Sequence, residues 1–202
     1  MKKDKEQDKI TIQKSPIILD LNESPIIWVR DFNFEAAEKF ISKLIELESD
    51  PEISEIFIYI TSYGGEVFAM LAMIEAMKNC IKPVNTVGLG INASCASVML
   101  SAGTGDRYLT KDSFIHIHHI RTGMYDDLPA IEQNVKQTKI VEEKLIQILT
   151  DRSNMTVTQL KEKLEKEKKE WQLTANIAKK YGFIDKIGMP KIKKSIVTEI
   201  EG

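Results

Sequence analysis

Gly90-Ile91-Asn92-Ala93-Ser94-Cys95-Ala96-Ser97-Val98-Met99-Leu100, fed by the apolar run Val84 to Leu89, is the stretch whose reading decides the fold. An apolar run that meets a glycine and then a series of small residues predicts a strand, a tight turn and a short helix, with Ser94 in the first turn of that helix. A serine hydroxyl there suits nucleophilic chemistry, provided a base stands within hydrogen-bond reach and donors wait for the developing oxyanion. The base candidate comes 24 residues later, at His118, in Phe114-Ile115-His116-Ile117-His118-His119, which holds all three histidines of the chain. Two plainer readings stand beside this one. Ala93, Ser94, Ala96 and Ser97 also suit a helix that merely packs closely. Strand alternation puts His116 and His118 on one face, as in a metal site, although no fourth histidine completes such a set and no motif marks carboxylate ligands.

The 202 residues suffice for one substantial core, and 43% apolar with 29% charged residues is ordinary for a globular chain. A net charge of −2 speaks against broad non-specific nucleic-acid binding. Cys80 and Cys95 make no disulfide framework, so a reducing compartment fits. Neither a membrane-length apolar run nor a signal-type core follows the charged N-terminus, and a cytoplasmic location is expected.

Outward from the central stretch, Met1 to Lys14 reads as a solvated, flexible tail and residues 15–202 as a single domain. Pro16 to Leu21 and Ile26 to Val29 suit strands; Asn33 caps a helix running to about Ser49. Ile53 to Ile60 has the continuous apolar character of a buried strand and ends in Thr61-Ser62-Tyr63-Gly64-Gly65, ahead of a helix with Val67, Met70, Leu71, Ile74 and Met77 on its buried stripe. Arg107 to Leu109 and Phe114 to His118 are the next strands. A long amphipathic helix over about 128–150 carries Ile131, Val135, Thr138, Val141 or Glu142, Leu145, Ile148 and Leu149 as its stripe, and either crosses its own domain or reaches a partner subunit. Thr156 with Gln159 predicts a capping box and a helix to about Lys169, with Lys161 to Glu170 as a solvated face. Thr174 caps a last helix stopped at Gly182, and Phe183 to Ile187 and Ser195 to Ile200 are short extended pieces. Repeated units of strand and helix make the class α/β.

Several ordered pieces are similar to one family. Ile-Thr-Ser-Tyr-Gly-Gly at 60–65, Gly-Ile-Asn-Ala-Ser-Cys-Ala at 90–96, Ala-Gly-Thr-Gly-Asp-Arg-Tyr at 102–108, Ile-His-His at 117–119 and Leu-Thr-Ala with Tyr-Gly-Phe-Ile-Asp inside 173–185 resemble the motifs of the Clp protease proteolytic subunit, a caseinolytic serine peptidase. The resemblance implies the Clp/crotonase fold, built of repeated ββα units with a long handle helix. It places the nucleophile on Ser94, the general base on His118, the acid of the triad on Glu170, and the oxyanion hole on the backbone N–H groups of Gly65 and Cys95. It also implies an ATP-dependent-type serine endopeptidase that cuts unfolded polypeptides inside a homo-oligomeric chamber of stacked heptameric rings. The handle would pack between rings, and an AAA+ unfoldase partner would spend the ATP, since the chain has no phosphate loop of its own. The chemistry requires no metal and no organic cofactor.

The chain departs from the family pattern at Glu170, where an aspartate is usual, and at Tyr63 and Ile120, where prolines are usual. The segment before residue 25 is also shorter and unlike the usual N-terminus. These departures are similar to those of a divergent, virus-type relative. They motivate a second expectation, a catalytically weak structural subunit of a mixed ring. A third, acyl-CoA chemistry of the crotonase type, rests on the paired glycines alone.

Overall fold

The computed structural model describes residues 24–123, 125–167 and 170–191. The expected tail at 1–14, the strand at 16–21 and the extended piece at 195–200 lie outside the described residues.

Strand β1 (Ile26–Val29) leads through Asn33 into helix α1 (Phe34–Ser49). Asn33 caps as its position predicts: its side-chain oxygen accepts from the Ala36 N–H at 2.8 Å. Ala37, Phe40, Leu44 and Leu47 form the buried stripe. Strand β2 (Ile56–Ser62) starts three residues later and ends two later than its apolar run suggests. Its alternate residues serve two layers. Ile56, Ile58 and Ile60 join the main core under α1 and α2 (Val67–Asn79), while Phe57 and Tyr59 pack with Val87 on the opposite face. That two-sided burial is why β2 reads as continuous apolar sequence rather than as an alternation. Helix α2 buries Ala69, Met70, Met73, Ile74 and Met77, each of the larger side chains contributing about 1.5–3 kcal/mol of transfer free energy.

Strand β3 (Val84–Ala93) runs four residues beyond the Leu89 boundary expected from sequence. The extension exists because β3 serves two neighbours in turn: Thr86 to Gly88 pair with β4 (Arg107–Leu109), and Ile91 to Ala93 pair with β5 (Phe114–His118), all in parallel. Between the two sets lies Gly90, at φ +59°, where a side chain would be strained. The sheet order is β1-β2-β3-β4-β7, with β7 being Lys186–Ile187, and β5 branches from β3 to carry β6 (Glu170–Thr174) antiparallel.

Strand β6 is an addition to the sequence reading, which placed a helix to about Lys169 and a cap at Thr174 and assigned no element between them. Helix α5 (Val157–Lys166) stops sooner, and Trp171 and Leu173 alternate inward from the strand that follows. The Thr156–Gln159 capping box is present at both of its hydrogen bonds. Helix α6 (Ala175–Lys180) begins after Thr174, whose side chain makes no capping hydrogen bond. Helix α4 (Leu128–Asp151) starts at Asp127, whose carboxylate accepts from Ala130 N–H, and only its last two turns are buried, through Ile146, Ile148, Leu149 and Thr150. Of the predicted stripe, Ile148 and Leu149 are buried, Ile131, Thr138, Val141, Glu142 and Leu145 are half-buried and Val135 is exposed. Leu128 and Ile140, outside the stripe, are 68% and 69% exposed apolar residues without cover among the described residues. The α/β class and the long handle helix are as expected.

Candidate active site

Ser94 stands at the junction between β3 and helix α3 (Cys95–Ser101), ahead of the helix and not inside its first turn. Its backbone is at φ +55° and ψ −123°, and among the described residues it is the single non-glycine residue with positive φ. Compressing a strand-to-helix reversal into one residue pushes the hydroxyl out at the tip, at a cost of about 1–3 kcal/mol in backbone strain. Four hydrogen bonds hold it there. The Ser94 N–H donates to His116 O at 2.9 Å, and the Ser94 carbonyl accepts from Ser97 N–H at 2.9 Å, Val98 N–H at 3.3 Å and Ser97 Oγ at 2.6 Å.

The Gly64-Gly65 turn lies against this tip. A Cβ on Gly64, at φ +109°, would fall 2.7 Å from Ser94 Cβ, and one on Gly65 would fall 2.4 Å from Phe32 O. Both positions therefore exclude a side chain, for steric reasons beyond turn geometry. Among the described residues neither the Gly65 nor the Cys95 N–H donates to a backbone carbonyl. The Cys95 thiol donates to Gly65 O at 3.2 Å, and burial pushes its pKa up, which keeps it protonated and poorly nucleophilic.

A cavity of about 120 Å³ opens at Ser94. Gly65, Cys95 and His118 line it together with Arg121 and Glu142, and Val67, Val98, Ile146 and Leu149 give it an apolar wall. Ser94 and His118 are brought to one space because β5 lies beside β3, with Ala93 opposite His116 and His118 two residues further along the same face.

The profile of the Clp protease family matches residues 10–191. The chain belongs to the Clp protease family. It is also similar to the ATP-dependent Clp protease proteolytic subunit 2 of Tropheryma whipplei (strain Twist), with 29% identity over 176 residues that cover 86% of this chain and 96% of the relative.

In this Clp family chain the surroundings of His118 differ from the sequence expectation. The His118 Nδ1–H donates to the carbonyl oxygen of His119 at 2.6 Å, which leaves the Nε2 lone pair free to accept a proton. Glu170 sits directly opposite His118 in the β5–β6 register, yet its carboxylate binds Arg121 Nη2 and lies 3.7 Å from His116 Nε2. It makes no hydrogen bond with His118 among the described residues. His116 is edge-on to His118, with ring centroids 5.7 Å apart. Burial, then the charges of His118 and Arg121, push the His116 pKa down. Among the described residues no group of three or more His, Cys, Asp or Glu side chains is arranged to hold a metal ion.

Two groups escaped the sequence reading. Glu142 Oε1 accepts from His119 Nδ1–H at 2.9 Å and from Ile120 N–H at 3.0 Å, and Arg121 reaches across to Glu170. The signal for Glu142 was present as an acid at a core-facing position of an otherwise apolar stripe. Nothing in the local sequence marks Arg121.

Proposed function

We propose that this Clp family chain is a serine-type endopeptidase subunit in which Ser94 attacks the peptide carbonyl, His118 takes its proton, and the Gly65 and Cys95 N–H groups receive the oxyanion. The observation that carries this reading is the meeting of the Ser94 tip and the His118 imidazole in one cavity, with the His118 proton on Nδ1. As the tetrahedral intermediate collapses to the acyl-enzyme, His118 returns the proton to the leaving amine, and the same base then activates the water that hydrolyses the ester. Glu170 is the third member we assign. Its position opposite His118 supports the role, which requires its carboxylate to leave Arg121 and take over the Nδ1–H that the His119 carbonyl now accepts.

The substrate is an unfolded polypeptide. The exposed apolar positions of α4 support assembly with other copies of this chain into stacked rings, heptameric by family analogy, and an AAA+ unfoldase supplies ATP hydrolysis. Within the described residues no helix is long and apolar enough to cross a membrane, and a cytoplasmic setting is part of the proposal.

The test is labelling by a fluorophosphonate. Wild-type protein labels and cleaves unfolded casein, and Ser94→Ala does neither. Labelling that survives Ser94→Ala overturns the assignment. A second reading, a scaffold subunit of a mixed ring, is favoured by the engagement of Glu170 with Arg121 away from His118. Intact assemblies of wild-type protein that neither label nor cleave would establish it.

A further inference from the structure

We infer that Glu142, on the handle helix, is a positioning residue for the base His118, acting through His119. This rests on the assignment of His118 as the base.

The connection is a chain of hydrogen bonds. The His118 Nδ1–H is held by the His119 carbonyl at 2.6 Å, so the tautomer and ring orientation of His118 depend on where the peptide after residue 119 points. That peptide is fixed from the other side by one carboxylate oxygen. Glu142 Oε1 accepts both the Ile120 N–H, which belongs to the same peptide unit as the His119 carbonyl, at 3.0 Å and the His119 ring Nδ1–H at 2.9 Å. One of these donors lies in that peptide and the other on the ring of the residue before it, so Glu142 holds the peptide and its flanking side chain together, and charge-assisted hydrogen bonds of this kind are roughly twice as strong as neutral ones. Both side chains are about three-quarters buried, His119 at 25% and Glu142 at 26% exposure, which limits competition from water.

The other groups nearby do not do this work. His119 Nε2 faces Glu165 Oε1 at 3.4 Å but is not aligned for a hydrogen bond, and Glu165 is 65% exposed. Glu170 is engaged by Arg121. Leu128, Pro129 and the rest of the first part of α4 make no comparable link, so Glu142 is where the handle grips the segment that carries the base.

The experiment measures the rate of fluorophosphonate labelling at Ser94 in the full-length assembled protein. Glu142→Ala is expected to slow labelling by about 10- to 100-fold, as a misplaced catalytic group does. Glu142→Gln, which keeps an acceptor oxygen in the same place, is expected to restore most of the rate. His119→Leu, which removes the ring donor without touching α4, serves if Glu142→Ala does not fold, and it is expected to slow labelling too. Wild-type rates in folded Glu142→Ala or His119→Leu overturn the inference, as does a Glu142→Gln protein as slow as Glu142→Ala. Loss of all label in Ser94→Ala keeps the outcome separate from failure of the nucleophile assignment itself.

Discussion

Gly64 has no room for a side chain because Ser94 occupies it: a methyl group on Gly64 would sit 2.7 Å from Ser94 Cβ, 3.1 Å from Ala93 O and 3.2 Å from Cys95 N. Two of those atoms are backbone on either side of the nucleophile candidate and cannot rotate away. Gly64→Ala should therefore displace the Ser94 turn as well as strain its own backbone, at φ +109°. We expect a stability loss of about 1–3 kcal/mol in urea unfolding, together with a loss of fluorophosphonate labelling much larger than the fraction unfolded accounts for.

The strain at Ser94 separates stability from activity. A glycine at φ +55° and ψ −123° has no Cβ to clash, whereas alanine keeps the strain and loses the hydroxyl. Ser94→Gly should thus be more stable than Ser94→Ala by about 1 kcal/mol, although neither labels. Equal thermal midpoints for the two would show that the turn is not strained.

Arg107 and Asp185 meet across 78 residues of chain in a bidentate pair, Nη2 to Oδ1 at 2.7 Å and Nε to Oδ2 at 3.0 Å, with the Arg107 side chain 3% exposed. Burial alone would raise the Asp185 pKa, but hydrogen bonds and charge from Arg107, joined by Arg152, overcome it and hold it below the ordinary 3.8. The stability this pair contributes is then fully present above the ordinary carboxylate range and is lost as the pH falls through the depressed folded value. Asp185→Ala should cost about 3–5 kcal/mol at neutral pH, since it strands a buried guanidinium. Urea midpoints measured from neutral pH down to about pH 3 should converge toward those of the variant as the wild-type carboxylate titrates.

Ile140 is 69% exposed on α4 in the isolated chain, so an aspartate there is harmless to the fold of one subunit. If the handle packs against another copy, the same change buries an unpaired carboxylate at about 3–5 kcal/mol per contact. Ile140→Asp should keep the wild-type circular dichroism spectrum and shift light scattering to a smaller species. An unchanged mass would remove α4 from the assembly interface.

What the sequence determined by itself was local in cause. The Asn33 cap, the Thr156–Gln159 capping box, the stripe of α1 and the glycine turn after β2 follow from side chains within four residues of one another, where periodicity and capping chemistry act. The same holds for Ser94 and His118 as candidates, since their motifs are contiguous. Tertiary structure decided what depended on distant partners. β3 continues past Leu89 where β5 pairs with Ile91 to Ala93 and the end of β2 with Asn92, and Glu170-Trp171-Gln172-Leu173 is a strand because β5 offers it an edge, just beyond a charged run that reads as a solvated face. Which acid engages the segment around His118 was likewise undecidable from spacing. Which of Glu142 and Glu170 reaches the 118–120 segment depends on where α4 and β6 converge, and a side-chain oxygen chooses its partner by fractions of an ångström that no sequence interval records.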